Sequence, residues 1–268
     1  MEKEIILAEK AQKFKYPHGF STKNGGVSEG IYASLNLGMN RGDDKNKVIK
    51  NWDLFLDASG IKTHEFVCGN QVHGNNVHIA TKADLRPAYG PGQLIEADGY
   101  VTKEKNVPLS VFTADCVPVL LEDSVHEVIG SVHSGWRSTV ADIEGVAIKK
   151  MLSLGASCDD IHIAIGPSID KCCFEVGNEV IEAVNALIGS DETSKLASKR
   201  HISDSEPGSV DKYMLDLRGV VKTRFMQLGI PEDNIEYVGG CTMCNPHKYY
   251  SHRYTNGNRG SLACIISM

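Results

Sequence analysis

The stretch Leu109–Ser138, LSVFTADCVPVLLEDSVHEVIGSVHSGWRS, contains three short β-rich apolar runs. Pro108–Thr113 and Val117–Leu121 flank Ala114-Asp115-Cys116, and Val128–Val132 runs directly into His133. Their length and apolar continuity predict buried strands. Ser134-Gly135-Trp136-Arg137-Ser138 then breaks the pattern, and from Thr139 onward the spacing turns helical. Cys116 and His133 therefore fall at strand ends, where a side chain is held rigidly and can face a cleft. A Cys and a His so placed suit a thiolate nucleophile with its imidazole base, or two ligands of a soft transition metal. In an ordinary core the same cysteine would be inert filling. Asp115 beside the cysteine and Gly135-Trp136-Arg137 after the histidine favour chemistry over filling.

Outward from this stretch, the 268 residues carry no composition shift and no Pro/Ser-rich linker, so one domain over 1–268 is expected. The formal charge of -6 comes without any basic run that could neutralise phosphates, which argues against a nucleic-acid partner. The acidic N-terminus, MEKEIILAEK, lacks a signal-length apolar region, and no apolar run approaches a bilayer span, so no membrane partner and a cytoplasmic location are expected. In that reducing compartment the eight cysteines should be thiols or ligands. The adjacent pair Cys172-Cys173 seldom bridges itself and reads as packing.

In chain order, 4–8 and 14–20 read as a strand pair leading into Gly19–Ser28, a loop whose paired glycines would leave backbone amides open to an anion or a hydroxyl. It fits neither a P-loop nor a dinucleotide fingerprint. Val48, Trp52, Phe55 and Ala58 predict an amphipathic helix from Asp44 to Ser59, stopped by Gly60. His73 lies in a turn between glycines, whereas His78 alternates with Val77 and Ile79, so His73 is the better ligand. Residues 84–95 form an irregular loop of the kind that covers a site. Helices are expected over Thr139–Leu154, with its N-terminus adding positive potential near His133, over Asn178–Ile188 and over Tyr213–Leu228. Strands are expected at Ala97–Val101, Ile161–Ile165 and Ile235–Val238, and 189–211 reads as a loose polar excursion. In the tail, Cys241, Cys244 and His247 have zinc spacing, with His252 as a possible fourth ligand; a plain turn around Asn245-Pro246 fits equally.

With His73 in Gln71-Val72-His73-Gly74, Cys116 in Thr113-Ala114-Asp115-Cys116-Val117-Pro118 and His133 in His133-Ser134-Gly135-Trp136-Arg137, the chain resembles the YfiH/YlmD-like family, also called laccase-domain, polyphenol oxidase or purine nucleoside phosphorylase. The similarity runs nearly end to end and includes Gly19-Phe20-Ser21-Thr22, Asn36-Leu37-Gly38, Asp98-Gly99, Ile165-Gly166-Pro167 and the tail through Arg259. Lys23, Ser134 and His252 stand where the family usually has Arg, Ala and an aromatic. The resemblance implies an α/β (α+β) single domain with mixed β-sheets packed between helices, and a zinc held by His73, Cys116 and His133. It implies phosphorolysis of adenosine, inosine and methylthioadenosine, with adenosine deaminase activity. Phosphate would then be held by cations drawn from Lys23, Arg137, Arg253 and Arg259, Asn36 would take part in substrate binding, and Asp115 would shuttle a proton. The expected partners are a purine nucleoside and phosphate, with the chain a monomer. Two alternatives stay open: a peptidoglycan-editing amidase with Cys116 as nucleophile and His133 as base, and copper-dependent polyphenol oxidation. Two His, one Cys and a distant Met would suit a blue-copper site. A trinuclear copper cluster would need H-x-H pairs, and none of the ten histidines forms one.

Overall fold

The computed structural model describes residues 7–91, 94–200 and 211–268. The three apolar runs form strands Leu109–Thr113, Val117–Asp123 and Val128–Ser134, but they divide between two sheets. Leu109–Thr113 is an edge of a four-stranded antiparallel sheet with Leu262–Ile266, His18–Ser21 and Ala8–Glu9. Val117–Asp123 and Val128–Ser134 are the middle of a six-stranded mixed sheet. Antiparallel neighbours Ile161–Ile165 and Gly99–Thr102 flank them, and Ile235–Tyr237 and Val77–Ile79 add parallel edges. The three-residue link Ala114-Asp115-Cys116 therefore crosses from one sheet to the other.

Period-two alternation shows how the layers stack, because successive strand side chains face opposite sides. Leu109, Val111, Leu120, Ile129, Ala164 and Cys264 share one apolar cluster between the two sheets. Val119, Leu121, Val132, Ile163 and Ile165 face the opposite way into a larger cluster with Ile143, Ala147, Met151, Val180, Val184, Val220 and Phe225. These belong to helices Ile143–Ser153, Asn178–Ile188 and Leu217–Gln227. On the far side, Ala263 and Ile265 meet Trp52, Phe55 and Leu56 of helix Lys45–Ser59. The order is helices, sheet, sheet, helix, which is the expected arrangement of mixed sheets between helices. Truncating a residue such as Leu120 would cost roughly 2–5 kcal/mol, since it is fully buried.

Local signals account for most boundaries. Asp44 caps helix Lys45–Ser59 by accepting from the amides of Asn46 and Lys47, and Gly60 ends it at φ 80°. The helix expected over Thr139–Leu154 is two: Trp136–Val140, then Ile143–Ser153, which restarts at Asp142 with φ 62° and its carboxylate on the Gly145 amide. The segment next to His133 is thus a single turn and supplies little aligned dipole. Tyr213 and Met214 are not helical. Strand Lys212–Leu215 pairs with Glu175–Gly177 and Ala197–Lys199, and Asp216 then caps Leu217–Gln227. Part of the polar excursion is ordered as helix Ser190–Leu196 and strand Ala197–Lys199, while 201–210 lies outside the described residues, as do 4–6 of the first expected strand.

Candidate functional site

Val117 pairs with Ser134 and Pro118 with His133 across the two central strands, so the end of one ladder sets Cys116 beside His133. His73 arrives from the turn after Gly69–Asn70 and completes a group whose donor atoms all lie within 4.8 Å of one another. Cys116 Sγ is 3.8 Å from His73 Nε2, and the two imidazole rings stand edge to face with centroids 4.8 Å apart.

Two side chains hold the His73 turn. Gln71 pairs with the edge strand like a neighbouring backbone, donating from Nε2 to the Phe112 carbonyl (2.8 Å) and accepting the Phe112 amide (2.7 Å). Asp98, fully buried, accepts the amides of Val72, His73 and Gly74 at 2.8–3.1 Å, and its Oδ1 lies 2.8 Å from His133 Nδ1. One carboxylate thus fixes the backbone carrying one imidazole and the ring of the other, leaving His133 Nε2 for a ligand. Burial works against the charge of Asp98, but His133 and the amides outweigh it and hold the carboxyl below its ordinary range. His73 itself takes φ 60°, a left-handed conformation that turns its ring inward to the cavity. Gly135 closes the floor: a Cβ there would fall 3.0 Å from His73 Cδ2 and 3.2 Å from Cys116 Sγ.

Burial raises the Cys116 thiol, yet His133 and His73 overcome that and bring it down to about 6. Burial likewise disfavours a charged His133, but the thiolate and Asp98 raise it to about 9. Thiolate and imidazolium stabilise each other, and a metal cation would take the place of that proton. Two imidazoles and a thiolate suit zinc or copper, and three donors leave one position of a tetrahedron for substrate or water.

The group opens into a cavity of about 450 Å³. Asp115 lines it at φ 88°, with Oδ1 held by Thr242 Oγ1 (2.6 Å) and Oδ2 by the Arg253 amide (2.7 Å). Each oxygen accepts one hydrogen bond, so Asp115 braces the wall. Arg253 and Arg259 line the cavity, joined by Arg41 and His252. Arg259 is buried and donates to the Gly260 carbonyl and Ser261 Oγ, while its Nε has no partner among the described residues. Burial and then Arg41 lower it to about 10, so it stays charged at neutral pH.

The other expected contacts lie elsewhere. Arg137 is exposed and stacks on Trp136, 4.2 Å from its ring centroid, away from the cavity lining. Lys23 is half-buried near Tyr250 and also outside the lining. Asn36 is buried, with Oδ1 accepting the amides of Gly38 and Ser261, so it braces two lining segments without facing the cavity. The glycine-rich loop is mostly tied inward: the amides of Lys23, Asn24, Gly26, Val27 and Ser28 all donate within the protein. In the tail, Cys241 and Cys244 do cluster, but with Cys172 and Cys173, while His252 lines the cavity and His247 is exposed. Sequence reasoning missed Arg41, Gln71 and the tie made by Asp98; an Asp-Gly before an apolar strand was the visible trace of the last.

Among the described residues no helix is long and apolar enough to cross a membrane. Residues 17–268 match the family described as multi-copper polyphenol oxidoreductase laccase. The purine nucleoside phosphorylase YlmD of Bacillus subtilis is 34% identical over 258 residues, covering 93% of this chain and 87% of the relative. An adenosine deaminase, RL5, from an unknown prokaryotic organism is 30% identical over 268 residues, covering 96% of each. The crystal structure of the hypothetical protein YfiH of Bacillus licheniformis superposes with a TM-score of 0.82 at 31% identity, over 94% of this chain and 92% of that one. By sequence and by fold, the chain belongs to the laccase-like family of YlmD and YfiH proteins.

Proposed function

We propose that the chain is a zinc-dependent purine nucleoside enzyme that splits adenosine, inosine and methylthioadenosine with phosphate and also deaminates adenosine. The observation that carries this reading is one cavity lined both by the His73–Cys116–His133 donor set and by three arginines, Arg41, Arg253 and Arg259. Relatives named purine nucleoside phosphorylase and adenosine deaminase support the same substrate class. A zinc ion on the three donors would supply a Lewis acid beside the substrate. Within the cavity, guanidinium groups hold phosphate by charge-assisted hydrogen bonds, and Arg259 is a buried, charged member of that lining. Asp98 keeps His133 oriented, Asp115 keeps Arg253 in the wall, and phosphate replaces the purine at the ribosyl carbon as the glycosidic bond breaks. Deamination needs no second anion, so it can run in the same cavity without the arginines. Copper oxidation finds less support: among the described residues the close donor groups are this one and four cysteines, and neither holds more than two histidines.

One observation favours a second reading. Cys116, His133 and Asp98 are arranged as nucleophile, base and orienting carboxylate, with the thiol already lowered. That arrangement suits the amidase. Incubating the protein with adenosine, with and without phosphate, and separating the products distinguishes the two. Adenine and ribose 1-phosphate are expected only with phosphate, and inosine without it. If neither forms, yet a muramyl peptide carrying L-Ser is cleaved, the amidase reading replaces the nucleoside one.

A further inference from the structure

A second sulfur-rich group lies outside the donor set used above. Cys172 and Cys173 sit on one turn, Cys241 and Cys244 on another, and their four Sγ atoms all fall within 4.8 Å of one another. Cys244 Sγ is 3.5 Å from Cys172 and 3.3 Å from Cys173, and all four cysteines are free. A disulfide would require about 2.05 Å. Tetrahedral zinc with bonds of about 2.3 Å sets its sulfurs about 3.8 Å apart, inside the observed range. We propose that these four thiolates bind a second, structural zinc ion, closed to substrate.

The surroundings support a metal over loose thiols. The Asp170 amide donates to Cys241 Sγ at 3.4 Å, a contact that favours a thiolate. Each turn is closed by its own backbone, the Cys173 amide on the Asp170 carbonyl and the Asn245 amide on the Cys241 carbonyl. A bridge between Ser168 and Cys241, with the Thr242 amide on the Ser168 carbonyl, sets the two turns side by side. Cys241 is a buried anchor, while Cys172 and Cys244 are exposed, so an ion can enter from solvent and displace the thiol protons. Four sulfur donors select a soft cation over magnesium or calcium.

Position gives the ion its effect. Ile169 and Phe174 flank one cysteine turn and line the cavity. Thr242, next to Cys241, holds Asp115, and the Arg253 guanidinium lies 5.9 Å from the Phe174 ring centroid. Zinc at the four cysteines fastens together the two turns that carry this wall. The ion is thus a positioning element and touches no substrate.

The test uses the whole chain, purified under reducing conditions without chelator and counted for zinc by elemental analysis. About two zinc ions per chain are expected, falling to about one in Cys244→Ala and to about one in Cys116→Ala, each from its own site. Circular dichroism and thermal melting check that each variant is folded. Reconstituting folded Cys116→Ala with cobalt(II) alone should give the intense sulfur-to-cobalt absorption of a tetrathiolate site, absent from the Cys116→Ala/Cys244→Ala double variant. A single zinc in the unaltered chain that Cys116→Ala removes, two zinc ions retained in Cys244→Ala, or an intact mass two hydrogens low with no metal at these cysteines would overturn the proposal.

Discussion

The two clusters are made of similar atoms but differ in build. His73, Cys116 and His133 stand on strand ends and a turn braced by Gln71 and Asp98, and they open on a cavity. Cys172, Cys173, Cys241 and Cys244 stand on two turns with their sulfurs grouped together, outside the cavity lining. A rigid frame can hold three donors around an incomplete coordination shell, because the frame and not the metal fixes their positions. Donors on turns depend on the ion for their geometry and are stable when the shell is full. Under the proposed function the open cluster serves chemistry, and under the proposed zinc site the closed one holds a wall in place.

The difference is sharpest when a donor is removed from the open cluster. Cys116→Ala or His73→Ala should lower nucleoside cleavage at least about a thousandfold, as expected when metal-assisted catalysis is lost, with unfolding temperature little changed; kcat/KM and thermal melting are the readouts. Comparable cleavage by His73→Ala would break the contrast. It would favour a Cys116–His133–Asp98 triad, which does not need that imidazole.

The frame can be loosened without touching a donor. Asp98→Asn keeps the shape but leaves an amide NH₂ among three amide donors and an imidazole, so metal affinity should fall roughly 10–100-fold. A chelator-competition titration measures it, and unchanged affinity would mean that the strand ends alone set the geometry.

The anion wall is next in size. Arg259→Ala should raise the KM for phosphate about tenfold, the worth of one charge-assisted hydrogen bond, and leave adenosine deamination nearly unaltered. Arg137→Ala, exposed on the outer side of its helix turn, should change neither rate. An equal effect of both variants on phosphorolysis would dissolve the assignment of the wall.

How much of this was legible follows from range along the chain. The strands around Cys116 and His133, and helix Asn178–Ile188, were read correctly because their signals are local alternation and 3.6-residue spacing. Cys116, His133 and His73 are each legible as candidate ligands, their joining into one zinc set comes from resemblance, and their close grouping comes only with the fold. Arg137 looked placed by its nearness to His133 in sequence, but one helical turn carries it outward. Arg41 and the partnership of Cys172-Cys173 with Cys241 and Cys244 depend on loops that meet only in three dimensions. Tyr213–Leu215 reads as helix from local spacing because the pairing partners that make it a strand lie far along the chain, though Asp216 is a readable cap.

A smaller effect comes from behind the catalytic frame. Glu144 is fully buried, accepts from Ser134 Oγ, and is raised by burial to about 8. Its folded-state value lies above the ordinary 4.5. Stability is therefore full below that ordinary value and declines as pH rises toward 8, because the unfolded chain ionises first. Glu144→Gln should raise the unfolding temperature at pH 8 by a few degrees and much less at pH 5. Equal shifts at both pH values would show that this carboxyl does not stay protonated in the folded protein.

The central claim is that the open His₂Cys centre carries metal-dependent nucleoside chemistry. Its most direct test is to strip the protein with chelator, then add zinc in steps with adenosine and phosphate present, while adenine release is followed. The stripped protein should be inactive, and cleavage should return in proportion to zinc bound at the site that Cys116→Ala abolishes. Full adenosine cleavage by the stripped protein, or recovery of activity in Cys116→Ala on adding zinc, would contradict it.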